Sequence, residues 1–214
     1  MREFSIIAVT IITIIIGVRY CILTIKKKIK PVLAMWLFFS IAVSMSLVTY
    51  MANDNFTLLD NILNTADLLL VITVTVVIYF FGDTSSKFTS FDKSCLMTVI
   101  AISLFWFVTK THFLSHIMVQ SVLVIAYFPV IRRLWQSKEN TEPYSVWILI
   151  MIAPIFALLS SKGILASIYS IRAIASTVIL LLLMLRVDYL KNSISNQTGN
   201  GKIIRINIPK KKRV

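Results

Sequence analysis

The sequence predicts an all-α integral membrane protein: seven transmembrane helices, arranged as two parallel three-helix bundles joined by a linker helix. Three observations predict it. Of 214 residues 57% are apolar and only 14% charged, with a mean hydropathy of +0.85. The apolar residues fall in runs near the length of a membrane span, separated by short basic or acidic loops. The runs also repeat in a common order. A soluble domain averages about 45–50% apolar and about 25% charged residues, so this chain has too little charge to cover a water-facing surface. With 5 Gly and 5 Pro it is neither collagen-like nor of low complexity, and its apolar content removes the disordered class.

A spanning helix needs about 20 apolar residues. Seven runs qualify: 5–25, 31–51, 63–81, 94–109, 113–131, 144–161 and 164–186. Arg2 before the first gives it the look of a signal peptide, but its length, the lack of a small-residue cleavage site and the cluster Lys26, Lys27, Lys28 and Lys30 behind it predict a retained helix. The fourth run is the shortest, and only Lys110, Thr111 and His112 separate it from the fifth. Together they are far too long for one span, so a tight helical hairpin is expected. The domain organisation that follows is a first bundle over 1–93, a linker helix over 94–111, a second bundle over 112–190 and a basic cytoplasmic tail over 191–214.

Charge then orients the chain. Lys plus Arg number 22 against 9 Asp plus Glu, a net charge of +13, and the basic residues cluster between apolar runs and after Leu190. That pattern anchors a membrane protein and does not predict a nucleic-acid partner. The first loop has the lysine cluster, the third Lys87 and Lys93, and the fifth Arg132, Arg133 and Lys138. The second has Asp54 and Asp60 with no basic residue, while the fourth and sixth carry only Lys110 and Lys162. By the positive-inside rule the odd loops and the tail are cytoplasmic and the N-terminus outside. Expected localisation is the bacterial inner (cell) membrane.

Trp36 and Trp147 stand 111 residues apart, and setting them together aligns AMWLFFSIAVSMSLVTY with SVWILIMIAPIFALLSS. Each segment opens just after a basic loop and a proline, Pro31 or Pro143. Dropping about six residues from the second connecting loop sets Asp67 opposite Arg172. An odd linker helix gives both triplets the same orientation, a parallel duplication, and such folds hold their substrate between the halves near mid-membrane. Two apolar helices also align passably by chance.

This architecture resembles the PQ-loop superfamily, which includes the SWEET sugar transporters, the half-sized semi-SWEETs and the nicotinamide-riboside transporters. The resemblance covers 6–190 in architecture. In local sequence it holds for 127–161, where YFPVIRRLWQSKENTEP followed by Trp147 and Pro154 is similar to the helix, kink proline, basic loop and second helix of a PQ-loop unit. The chain departs from the motif at Val130, where a glutamine would stand. The first half has Gly17 or Val18 near the place of Pro129 and Val43 at that of Pro154. If prolines hinge the motion of that family, Pro129 and Pro154 are the hinges, and only the second half keeps them.

Asp67 and Arg172 are the candidates with the strongest physical signal. A charge inside a spanning helix costs about 2.5–3.5 kcal/mol on insertion scales and faces the bundle interior. Asn64 shares a helical face with Asp67, and Tyr169 and Ser176 share one with Arg172. Together they predict a substrate site for a zwitterion, a polyol or a carboxylate; the alternatives are a structural ion pair or two interfacial charges. The resemblance favours the site, because the third helix of each SWEET-type triplet supplies pocket residues. An open cavity of several hundred cubic ångströms, the size of an ordinary ligand pocket, distinguishes it from a dry lock.

His112, His116 and Gln120 form a polar stripe on the fifth helix, read either as a proton path or as hydrogen bonds to a neighbouring helix. Trp36, Trp147, Trp106 and Trp135 are expected in the interfacial belt, with a gating role the less favoured reading for the first two. Arg19 is expected to snorkel to the headgroups. The run Lys210 to Arg213 predicts contact with anionic lipid. The Asn55-Phe56-Thr57 sequon is usable only in a eukaryotic secretory pathway.

Cys21 and Cys95 lie in apolar runs and offer neither a disulfide framework nor metal spacing. HExxH, GxSxG and paired-aspartate motifs are absent from the sequence, and Cys95 with His112 or His116 lacks a third orienting group, which leaves an intramembrane thiol protease a remote alternative. Neither enzyme activity nor a cofactor nor a metal is expected. The expected function is transport of a small polar solute such as a sugar or nucleoside, by alternating access between the two bundles. The alternative is a non-transporting membrane scaffold that binds lipid or a partner with the same fold. Expected partners are the small-molecule substrate and membrane lipids, and a homo-oligomer is compatible with the sequence.

Overall fold

The structure, a computed structural model, describes residues 1–53, 55–82, 89–109, 112–136 and 140–200. Among the described residues the chain is helical and holds no strand. The helices are α1 (Arg2–Ile25), α2 (Leu33–Asn53), a 3-10 turn (Leu58–Asn61), α3 (Ile62–Phe81), α4 (Ser90–Thr109), α5 (His112–Ile125), α6 (Phe128–Gln136), α7 (Tyr144–Ala157) and α8 (Gly163–Asn200). Among the described residues six spans are long and apolar enough to cross a membrane, with α5 and α6 together forming one of them; α7 is apolar but shorter. The basic run Lys210 to Arg213 lies outside the described residues, as do Asp54, Lys87, Lys110 and Lys138.

α1 shows why lipid is the solvent. Its buried face carries Ser5, Val9, Thr13, Ile16, Tyr20 and Thr24, four of them hydroxyl-bearing, whereas Ile7, Ile11, Ile14, Ile15, Val18 and Ile22 are exposed. This arrangement reverses that of a soluble amphipathic helix. In water so much exposed aliphatic surface drives aggregation; against acyl chains it is the compatible face. In the same spirit α2 returns its hydroxyls to its own backbone, Ser40 Oγ to Trp36 O at 2.9 Å, Ser44 Oγ to Ser40 O at 2.7 Å and Thr49 Oγ1 to Met45 O at 2.9 Å. No hydroxyl of the three faces hydrocarbon unpaired.

Caps set several boundaries that hydropathy misplaces. α4 begins at Ser90, four residues ahead of the apolar run, because Thr89 and Asp92 form a capping box: the Thr89 amide donates to Asp92 Oδ2 at 2.8 Å and the Asp92 amide to Thr89 Oγ1 at 3.2 Å. Thr57 and Asp60 form the same box ahead of α3. Replacing Thr89 with Val, which keeps the volume and loses the hydroxyl, is expected to cost about 1 kcal/mol, measured as faster amide hydrogen exchange in the first turn of α4.

The fifth apolar run is not one helix. It breaks at Ala126–Tyr127, where α5 gives way to α6. The reason is Pro129, which lacks the N–H that would close the helix and disfavours helical geometry at Phe128; at the opening of a new helix the ring fits. Pro154 lies inside α7 and lacks an N–H to bond back along the helix, so that hydrogen bond is missing, and α7 ends soon after at Ala157. α8 continues well past the apolar run.

The packing partners form a pattern. α3 packs on both α1 and α2, and α8 packs on α7 and on α5 and α6. Across the middle, α1 lies along α7 and α2 along α5, while α4 leans on α5, α2 and α6. Exchanging α1 for α5 with α6, α2 for α7 and α3 for α8 reproduces the pairs α1 with α3, α2 with α3 and α1 with α7, but not the contacts of α4 or that of α3 with α7.

Candidate functional site

α3 and α8 face the centre of the bundle, and there each presents one charge. Asp67 of α3 and Arg172 of α8 line the same cavity, with Tyr169 beside Arg172 and the aromatic rings of Trp36, Tyr127 and Trp147 completing much of its wall. Tyr169 links the two charges. Its hydroxyl donates to Asp67 Oδ2 at 2.9 Å, and the Arg172 guanidinium sits 4.7 Å from its ring centroid, a cation–π contact. Arg172 Nε donates to Gln120 Oε1 at 3.2 Å.

Beyond Arg172 the polar groups continue as a buried network between α5, α2 and α3. Gln120 Nε2 donates to Ser46 Oγ at 3.2 Å and to His116 Nε2 at 3.0 Å. That leaves His116 Nδ1 to donate to Thr49 Oγ1 at 3.2 Å, a neutral tautomer assigned from the network. With its amide oriented by the same reasoning, Asn64 accepts from Ser46 Oγ at 2.9 Å and donates to Val43 O at 3.2 Å. Asn64, Asp67, His116, Gln120, Tyr169 and Arg172, named from the sequence, thus lie in one connected system. Only Asp67, Tyr169 and Arg172 reach the cavity. Ser176 is buried one turn along α8 and does not line it. Pro154 lines the cavity, whereas Pro129 is buried in the first turn of α6.

The cavity holds about 50 Å³, room for one or two waters and well below the several hundred cubic ångströms of an ordinary pocket, so the size expected of an open substrate site is not met in this state. Contacts bridge the bundle at both ends. At one, Asp60 takes Arg2 at 2.8 Å and Lys162 at 3.9 Å, and Ser5 Oγ donates to Ser160 Oγ at 2.7 Å. At the other, the loops after α1 and α6 meet: the Lys30 amide donates to Thr141 O at 3.5 Å, and Arg133 Nη1 donates to Lys30 O.

Trp36 and Trp147 are not the belt residues that their depth predicts. They are 2% and 1% exposed, because both indoles turn inward, Trp147 directly onto and Trp36 by way of Tyr20 toward a buried carboxylate that sequence reasoning missed. Trp147 Nε1 donates to Glu142 Oε2 at 3.2 Å. Trp36 Nε1 donates to the Tyr20 hydroxyl at 3.1 Å, which in turn donates to Glu142 Oε2 at 3.1 Å. Depth along a helix is legible from hydropathy; azimuth is not when every face is apolar. By contrast Trp135 is 62% exposed, with the Arg186 guanidinium 4.1 Å from its ring centroid, and Arg19 is exposed. Trp106 is half-buried. His112 is the first residue of α5. Among the described residues no three His, Cys, Asp or Glu side chains group as metal ligands.

No family model, no curated protein and no solved structure matches the chain.

Proposed function

We propose that this protein is a transporter of a small polar solute, built as two three-helix units around a linker helix in the manner of the PQ-loop and SWEET-like proteins. The observation that carries the reading is that Asp67 and Arg172, from the third helix of each unit, line one central cavity without being spent on each other. Opposite charges kept close but linked through Tyr169 offer a hydrophilic guest both an acceptor and a donor. A lock has no use for that separation, since it gains most from a direct pair. The exchange of packing partners between α1–α3 and α5–α8 supports the duplication.

On this reading the structure is an occluded state: contacts bridge the two units at both ends of the bundle, and solute enters when one unit rocks against the other, with Pro129 and Pro154 as the places where the backbone gives. The Asp60 end faces outside and the lysine-rich loops face the cytoplasm of a bacterial cell, with anionic lipid at the basic tail. The sequence has no ATP-binding motif, so movement is facilitated or ion-coupled, and the protein is not an enzyme.

Uptake of radiolabelled sugars, nucleosides and amino acids into proteoliposomes tests this. Accumulation of at least one solute above protein-free vesicles is expected. Failure of the whole panel, with the protein folded, would favour a non-transporting scaffold.

A further inference from the structure

Glu142 is the residue the transport site does not use. It sits in the connection just before α7, is 4% exposed, and has one oxygen, Oε1, that is buried with no hydrogen-bond partner. Its other oxygen accepts from both Tyr20 and Trp147. Trp36 and Trp147 stand at matching places in the repeat and both line the cavity, but the carboxylate is single: the matching loop of the first half offers Lys30 and Pro31 instead.

We propose that Glu142 is a proton-binding site that couples closure of the lysine-rich end to uptake of one proton; the coupling rests on the transporter reading, while the proton site does not. A buried carboxylate with an orphan oxygen is costly. Protonation removes that cost by neutralising the charge, and opening removes it by letting water reach Oε1 and solvate the charge. The closed form therefore holds the proton and the open form releases it.

Burial pushes the carboxyl up to about 7, against the pull of the Trp147 and Tyr20 hydrogen bonds and of the Arg133 charge. From α1 it is faced by the Tyr20 hydroxyl and from α6 by Arg133. The Lys30 backbone bonds its neighbour Thr141. α2 carries no charged residue, and on α7 the Tyr144 hydroxyl is turned to Asp188 of α8 at 2.7 Å. The sign follows. Since the closed-state value lies above that of a hydrated carboxyl, near 4.5, closure is favoured most below pH 4.5 and loses that advantage as pH rises through about 7. The closed-to-open ratio falls on the order of a hundredfold across that window.

Trp36 and Trp147 report directly. In liposomes, full-length protein with Trp106→Phe and Trp135→Phe is expected to show a single fluorescence transition whose midpoint lies between about pH 4.5 and 7. Glu142→Gln should remove it, and Glu142→Asp should shift its midpoint, which serves if the glutamine variant does not fold. A flat response in the parent protein, a transition that survives Glu142→Gln, or an unshifted midpoint in Glu142→Asp overturns the proposal. The readout needs no transported solute, so it fails or succeeds independently of the uptake panel.

Discussion

Uptake by Arg172→Gln protein is expected to fall on the order of a hundredfold, and Asp67→Asn to follow it closely. Removing one member of a desolvated charge set costs about 2–5 kcal/mol, because the remaining charge stays buried without its counterpart. Asp67→Asn is the more informative of the two. Its amide oxygen still accepts from the Tyr169 hydroxyl, now at 2.9 Å from Asp67 Oδ2, so shape and hydrogen bond persist while the charge goes. Ser176→Ala, which changes a buried hydroxyl that does not line the cavity, should leave uptake within about twofold, a change no larger than an ordinary hydrogen bond is worth. Unchanged uptake in both charge variants would remove the site.

Trp147→Ala is expected to lower stability by about 3–5 kcal/mol, the usual cost of emptying a packed aromatic position. Trp135→Ala should cost less than about 1 kcal/mol, as surface changes do. The contrast arises because Trp147 is enclosed by Tyr127 at 6.1 Å between centroids and donates to Glu142, whereas Trp135 has one cation beside an otherwise exposed ring. Trp147→Phe separates the two contributions, retaining most of the ring and losing the donor, for about 1–3 kcal/mol. Unfolding followed in detergent micelles measures all three. Equal losses for Trp147→Ala and Trp135→Ala would restore an interfacial role for Trp147.

These residues also show what the sequence could and could not reveal. Helix existence was legible because a lipid solvent imposes one simple rule, length of apolar run, and the runs behind α1, α2, α3 and α8 obey it. Intramembrane charge was legible for the same reason, so Asp67 and Arg172 stood out, and so did polar neighbours at helical spacing. Azimuth was not. Trp36 and Trp147 have apolar residues on all sides in sequence, and only the fold shows which face meets a partner. Glu142 was hidden by its setting in a loop rich in polar residues, where carboxylates are ordinarily solvated. The Thr89 and Asp92 capping box is present in the sequence and marks the start of α4, a signal carried by polar pairs and not by hydropathy. The break at Ala126–Tyr127 could likewise be read from Pro129.

Rocking of one unit against the other is the central claim, and a reversible staple across the Asp60 end tests it most directly. Ser5 on α1 and Ser160 after α7 bring their hydroxyls to 2.7 Å, near enough for a disulfide once both are cysteine, in a background with Cys21 and Cys95 replaced by serine. Oxidation is expected to stop solute uptake at least tenfold, on the order of the loss that trapping one state of an alternating carrier imposes, and reductant to restore it. Undiminished uptake by fully cross-linked protein would contradict the account.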